Sequence, residues 1–282
     1  MSADTPQSAG TYWIASYPKS GNTWLRLFLK TYYDNPKTPL SINSLPSGST
    51  AYLRRHFDEL LGLETADFPP ELLSNLRPRC YDLMAQGDNF SFVKTHECFT
   101  RTASGEPVFS AASSAGAIVI VRHPFDVAVS LSHFLRISVD DAITRMAGPD
   151  ADAGARTLTE AIPHETGSWS SFAHSWINGS LPFHQLRYED MLDHPEATFS
   201  GVLKFLNAPH DTARLRKSIA FTSFDGLKKQ EAQNGFAAMQ TGASAFFRAG
   251  KKNNWQHQLS SKQRDRLQRD HFDMMTRFHY LP

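Results

Sequence analysis

Short apolar runs alternate with helix-spaced apolar stripes along most of the chain. The first run, Tyr12-Trp13-Ile14-Ala15, predicts a buried strand that stops at the turn-forming Tyr17-Pro18-Lys19-Ser20-Gly21. From Thr23 to Tyr33, Leu25, Phe28, Leu29 and Tyr32 recur at helical spacing, so the opening unit reads strand, tight loop, helix. Phe90-Ser91-Phe92-Val93-Lys94 predicts a second strand. The third, Ala117-Ile118-Val119-Ile120-Val121, is uninterrupted and β-branched, the pattern of a strand covered on both faces. Pro124 then suits the first turn of a helix reaching about Leu135. A fourth strand is predicted over 183–188, with Glu189 and Asp190 suited to the positive end of a following helix. Further helices are predicted over 195–206, 211–219 and 262–278. This alternation predicts a three-layer α/β domain with a central, mainly parallel sheet and right-handed crossovers.

Between these elements, 36–89, 138–180 and 229–246 are less regular and rich in Pro, Gly, Ser and Asn. In a single domain spanning 1–282 they read as substrate or lid insertions, and 1–10 as a loose polar tail. The 282 residues carry 29 Lys+Arg against 28 Asp+Glu, which argues against wholesale coating of nucleic acid or an anionic membrane but leaves room for a local cationic pocket. Two cysteines, Cys80 and Cys98, exclude a disulfide scaffold and read as reduced core thiols. The start has neither a basic segment nor an apolar run, and no stretch approaches the ~20 apolar residues of a membrane span. The expected location is the cytoplasm.

The strongest chemical signal is Ser16-Tyr17-Pro18-Lys19-Ser20-Gly21-Asn22-Thr23-Trp24, between a strand and a helix. Backbone amides in such a turn, with the helix N-terminus behind them, form an anion cradle. Lys19 adds a full charge, and Ser20, Asn22 and Thr23 add side-chain donors. An ordinary Pro-Gly turn with a solvated lysine is the plainer alternative. The loop is P-loop-like without being a Walker A sequence, because Lys19 precedes the glycine. Strand 117–121 ends in Arg122, where a P-loop enzyme often has a magnesium-binding Asp, and an arginine there suits an anion directly. No HExxH or CxxC pattern suggests a metal. The site is therefore expected to take a phosphate-bearing ligand without metal.

Tyr17-Pro18-Lys19-Ser20-Gly21-Asn22-Thr23-Trp24 resembles the 5′-phosphosulfate loop of cytosolic-type and bacterial sulfotransferases, which use 3′-phosphoadenosine 5′-phosphosulfate (PAPS). Val121-Arg122-His123-Pro124-Phe125-Asp126-Val127-Ala128-Val129-Ser130 resembles that family's 3′-phosphate motif, and Val93-Lys94-Thr95-His96 its catalytic strand end. Arg187-Tyr188-Glu189-Asp190-Met191, Thr222-Ser223-Phe224 and Phe247-Arg248-Ala249-Gly250 with Trp255 follow in family order.

The resemblance implies a PAPS-dependent enzyme that moves a sulfuryl group to a hydroxyl, or as second choice an amine, of a small organic acceptor, releasing adenosine 3′,5′-bisphosphate (PAP). It implies that Lys19 and the backbone of Ser20, Gly21, Asn22 and Thr23 hold the 5′-phosphosulfate. Trp24 and Phe224 would flank adenine, with Tyr188 and Thr222 nearby. Arg122, Ser130 and Arg248 would hold the 3′-phosphate, beside Phe247 and Ala249, with Gly250 allowing close backbone approach. His96 would remove the acceptor proton, and Lys94 would steady the transferred group. Individually, Trp24 also reads as core, Ser130 as a helix serine bonded to the preceding turn, and His96 as a structural histidine.

A P-loop-like kinase and a non-catalytic nucleotide-binding relative remain as alternatives. Ala249 stands where the family commonly has Lys. The family's C-terminal dimer motif, K-x-x-x-T-V-x-x-x-E, would begin at Gln256, but its key positions are Gln256, Ser260, Ser261 and Asp265. The usual dimer is therefore not expected. Tyr52, Phe57, Phe68, Phe134, Trp169, Phe236 and Phe246 in the insertions would suit an apolar or aromatic acceptor.

Overall fold

The computed structural model describes residues 9–45, 50–85, 90–148, 160–237 and 245–281. Strand β1 (Gly10–Ser16) leads through a tight loop into α1 (Asn22–Asp34). Helices α2 (Arg54–Leu61) and α3 (Pro70–Met84) precede β2 (Phe90–Thr95), and β3 (Ser114–Val121) runs into α4 (Pro124–Leu135). After α5 (Val139–Ala147) and α6 (Trp169–Ile177) come β4 (Phe183–Arg187) and α7 (Tyr188–Asp193). Helices α8 (Pro195–Phe205), α9 (Thr212–Phe221), α10 (Phe224–Asn234), α11 (Ser261–Asp270) and α12 (Phe272–Arg277) complete the order.

The strands form one parallel sheet in the order β2-β1-β3-β4. Side chains alternate across the two central strands, and the apolar positions of both are buried on each face. Trp13, Ala15, Ala117, Val119 and Val121 join one core with α3, α4, α5, α6, α11 and α12. Tyr12, Ile14, Ile118 and Ile120 join the other with α1, α7, α8, α9 and α10. This is the expected three-layer arrangement. The chain leaves β1 toward β2 on one side and reaches β3 on the other, so the C-terminal ends of β1 and β3 flank the point where strand order reverses. Open α/β sheets bind ligands at that crevice.

Two differences from the sequence reading concern helices. The irregular stretches contain α2, α3, α5 and α6, and α3 carries Pro78 in its interior, where proline ordinarily breaks a helix. The single helix expected over 262–278 is two, because His271 leaves the helical region at φ −127°. Segments of the first and second insertions also extend the sheet edge: Thr50 bridges Lys94 beside β2, and Leu53 bridges Ala161. The carbonyl of Glu165 accepts the amide of Cys98, just past β2. Among the described residues no helix is long and apolar enough to cross a membrane.

Candidate active site

The loop after β1 is shaped by two left-handed residues. Lys19 has φ 68° and Gly21 φ 107°, and Gly21 caps α1 without a side-chain hydrogen bond. A Cβ on Gly21 would lie 2.8 Å from the Tyr188 ring, so only glycine fits both the conformation and the space. For Lys19 the strain is of order 1–3 kcal/mol, and Arg122 holds it in place by donating from Nη1 to the Lys19 carbonyl at 2.9 Å. That bond joins the end of β3 to the loop after β1. Arg122 is buried, with its guanidinium 4.2 Å from the Tyr188 ring centre.

The amides of the first turn of α1 lack intrahelical partners and face the loop. Two buried side-chain atoms here, Ser20 Oγ and Arg122 Nε, have no protein partner either. A buried polar group without a partner costs about 1–3 kcal/mol, and an anionic ligand would supply what both need. The residues present therefore fit a phosphate group. Asn22 plays a different part: its Nδ2 donates to Ile14 O at 2.8 Å and Ser16 Oγ at 3.2 Å, tying the helix start back to β1. Its backbone amide, rather than its side chain, is what remains for a ligand.

Lys19 Nζ lies between the rings of Phe134 and Phe246, 4.1 and 4.0 Å from their centres. Burial pushes its pKa down to about 7, and the Arg122 and Arg248 cations add to the effect against Glu231. Arg248 is lowered too, by burial and by Arg122. Three cations from distant parts of the sequence thus converge, the pattern of an anion site.

The segment carrying Arg248 hangs between two buried carboxylates that the sequence reading did not single out. Glu231 on α10 accepts the amides of Phe246 and Phe247 at 2.6 and 2.8 Å. Asp126 on α4 accepts those of Asn253 and Trp255 at 2.8 and 3.1 Å. Between them Ala249 is half-buried, and Gly250, at φ 59°, passes so close to Phe224 that a Cβ would run into the ring. Phe247 is core, packed edge-on to Phe224 at 6.0 Å.

Trp24 is 8% exposed and packs edge-on against Tyr188 and Phe199, at 5.8 and 6.0 Å; it is largely core. Thr222 is buried and donates its hydroxyl to Ser218 O at 2.8 Å. Thr23 and Ser130 are half-buried at the starts of α1 and α4's second turn. Lys94 and His96 flank Thr95 at the C-terminal end of β2, beside the loop.

His96 Nδ1 lies 2.6 Å from Ser16 O and 3.4 Å from Ser16 Oγ. A carbonyl only accepts, so Nδ1 carries the proton and Nε2 bears the lone pair. Burial, then the charge of Lys94, pushes the His96 pKa well below the ordinary histidine value, with smaller contributions from His164 and Lys19 against the Ser16 hydrogen bond. The imidazole is neutral at pH 7.

The parallel α/β sheet thus brings a loop that fits a phosphate after β1, the arginine at the end of β3 and a neutral histidine after β2 to one end, the arrangement of a group-transfer fold acting on an anionic ligand. The sulfotransferase-domain family model matches residues 10–279. Sulfotransferase 1A1 of Canis lupus familiaris is 25% identical over 281 residues, covering 93% of this chain and 82% of the dog protein. Flavonol 3-sulfotransferase of Flaveria bidentis is 22% identical, covering 90% and 78%. In fold, the chain is similar to a mouse sulfotransferase complexed with PAP (TM-score 0.60, 18% identity, 95% and 85% covered). It is similar also to retinol dehydratase in complex with androsterone and PAP (TM-score 0.62, 17% identity, 96% and 82% covered). The chain belongs to the sulfotransferase family. It is a PAPS-dependent enzyme that transfers a sulfuryl group to a small acceptor.

Proposed function

We propose that His96 is the general base of this reaction, that Lys19 is its principal electrostatic stabiliser, and that the acceptor group is a hydroxyl. The observation that carries the proposal is the bond from His96 Nδ1 to the Ser16 carbonyl, which fixes the tautomer and leaves Nε2 as the basic atom. PAPS supplies an electrophilic sulfuryl group on a bisphosphate leaving group. The amides at the start of α1, with Ser20, would bind the 5′-phosphate, while Arg122, Ser130 and Arg248 would hold the 3′-phosphate. Trp24 and Phe224 would flank adenine, with Tyr188 and Thr222 nearby. Lys94 would steady the transferred group. His96 takes the acceptor proton onto Nε2, and Lys19 meets the charge that grows on the leaving oxygen, which favours the transition state over the ground state.

His96→Asn keeps the size of the ring and part of its hydrogen bonding but removes basicity near pH 7. Turnover should fall roughly 10²–10⁴-fold, with PAP affinity unchanged. In the wild type, the acid limb of the rate profile should lie below the ordinary histidine value, because the folded pKa is depressed, and it should vanish in the variant. This places the limb lower than a free imidazole would. Near-wild-type turnover in folded His96→Asn would falsify the assignment. Activity is also expected to persist in excess EDTA; complete loss reversed by magnesium would revive a kinase-like reading. The buried thiols Cys80 and Cys98, both unpaired, support the reading of a cytoplasmic protein.

A further inference from the structure

The residue after His96 is Glu97, a carboxylate 1% exposed and set in an aromatic core. β2 ends at Thr95, and at the bend that follows His96 turns toward Ser16 while Glu97 turns toward α3. There it pairs with Arg77 of α3, itself 4% exposed. Tyr81, one turn further along α3, donates its hydroxyl to Glu97 Oε2 at 3.1 Å. The Glu97 backbone is fixed as well. Its amide donates to Thr95 Oγ1 at 3.1 Å, and its carbonyl accepts Trp176 Nε1 at 2.8 Å.

The surroundings are apolar: the Trp13 ring lies 5.1 Å from Tyr81 and 4.8 Å from Phe109. Removing two charges from water costs several kcal/mol per ion, and a well-packed apolar pair of similar volume is often as stable or more so. Stability alone therefore does not account for an ion pair here. What the buried pair, the Tyr81 hydroxyl and the two backbone bonds together provide is a single arrangement of Glu97, one peptide unit from the imidazole.

We propose that Arg77 and Glu97, with Tyr81, are positioning residues for His96: the insertion helix α3 clamps the end of β2 so that the imidazole is held in one place against the acceptor. This rests on the reading of His96 as base. The chemistry needs such a clamp, because displacing a reacting group by about 1 Å can cost on the order of 100-fold in rate. Ser16 holds the ring from the β1 side, and the ion pair holds the backbone from the α3 side.

The test compares two variants in two backgrounds. Tyr81→Phe removes only the hydroxyl on Glu97. Arg77→Met combined with Glu97→Gln removes both charges together, leaving neither buried alone. The double variant should melt close to the wild type, bind PAP with unchanged affinity and lose roughly 5- to 50-fold in kcat. Tyr81→Phe should show a smaller loss of the same kind. Neither change should lower turnover further when introduced into His96→Asn, since residues acting through one group are non-additive. Wild-type kcat in either folded variant overturns the proposal, as does an equal loss in the His96→Asn background, which would mark a general loosening. If the double variant does not fold, Tyr81→Phe decides by the same two readings. Wild-type turnover in His96→Asn itself would remove the base, and this proposal with it; an inactive His96→Asn beside a fully active Tyr81→Phe would remove the clamp alone.

Discussion

Lys19, Arg122 and Arg248 come from loops more than a hundred residues apart, yet each depresses or shares the field of the others. Lys19 at about 7 is largely neutral in mildly alkaline solution. A bound phosphate would restore the charge, because an adjacent anion favours the protonated form. PAP binding at about pH 8, where phosphate esters are fully ionised, should therefore take up close to one proton. Calorimetry in buffers of different ionisation enthalpy measures that number directly. Lys19→Met should abolish the uptake, and a wild type that binds PAP without it would show that Lys19 is already charged. The meeting of Lys19 and Arg122 at the strand ends was legible in the sequence, since loop, lysine and strand-end arginine are each local patterns. The His96 tautomer was not, because it depends on Ser16, which is 80 residues away in sequence.

The two central strands show the continuous apolar runs of burial on both faces, the half-buried β2 and partly exposed β4 also fall where strands were predicted, and α4 starts at Pro124 with His123 Nδ1 accepting the Phe125 amide at 3.2 Å. Among the missed helices, α5 and α6 do begin at serine caps, Ser138 and Ser168, set in polar stretches that conceal them, while α2 and α3 are hidden for other reasons. Pro78 interrupts the pattern of α3, and α2 has only eight residues with no side-chain cap; both are held by tertiary packing, with Phe57 and Tyr81 in the core. Glu231 and Asp126 were not singled out either, because the amides they accept lie 15 or more residues away in sequence, yet they suspend the segment bearing Arg248. Glu231→Ala would leave two amides without their acceptor, at about 1–3 kcal/mol each. If that freedom goes into the segment, PAP affinity should fall roughly tenfold or more, comparable to Arg248→Ala, with the melting temperature moving far less. Calorimetric affinity for PAP checks this. An unchanged value would mean that the segment keeps its place without Glu231.

Assembly follows from how the C-terminal region uses its polar groups. The stretch over 256–265 forms part of a helix start: Ser260 Oγ accepts the amide of Gln263 at 3.3 Å, and Gln263 Oε1 accepts the amide of Ser260 at 2.9 Å. That capping box engages the side chains within the chain. Leu259 just before it is buried in the core, and Gln258 Nε2 donates to Asn254 O at 3.1 Å. Stable interfaces bury about 1,200–2,000 Å² around an apolar centre. Among the described residues the large exposed apolar side chains are Leu63, Leu72, Phe183 and Phe272. Phe183 begins β4, Phe272 begins α12, and the two leucines sit just past α2 and at the start of α3, so none of them belongs to the capped segment itself. The protein is therefore expected to sediment as a monomer of 31.6 kDa, at all concentrations up to those used for assay, and with the same mass when PAP is bound. Sedimentation equilibrium with and without PAP measures both. Twice that mass would overturn the monomer expectation, and Ser260→Ala, which should lower the melting temperature by the lost cap of about 1 kcal/mol, would then test whether the capped segment carries the interface.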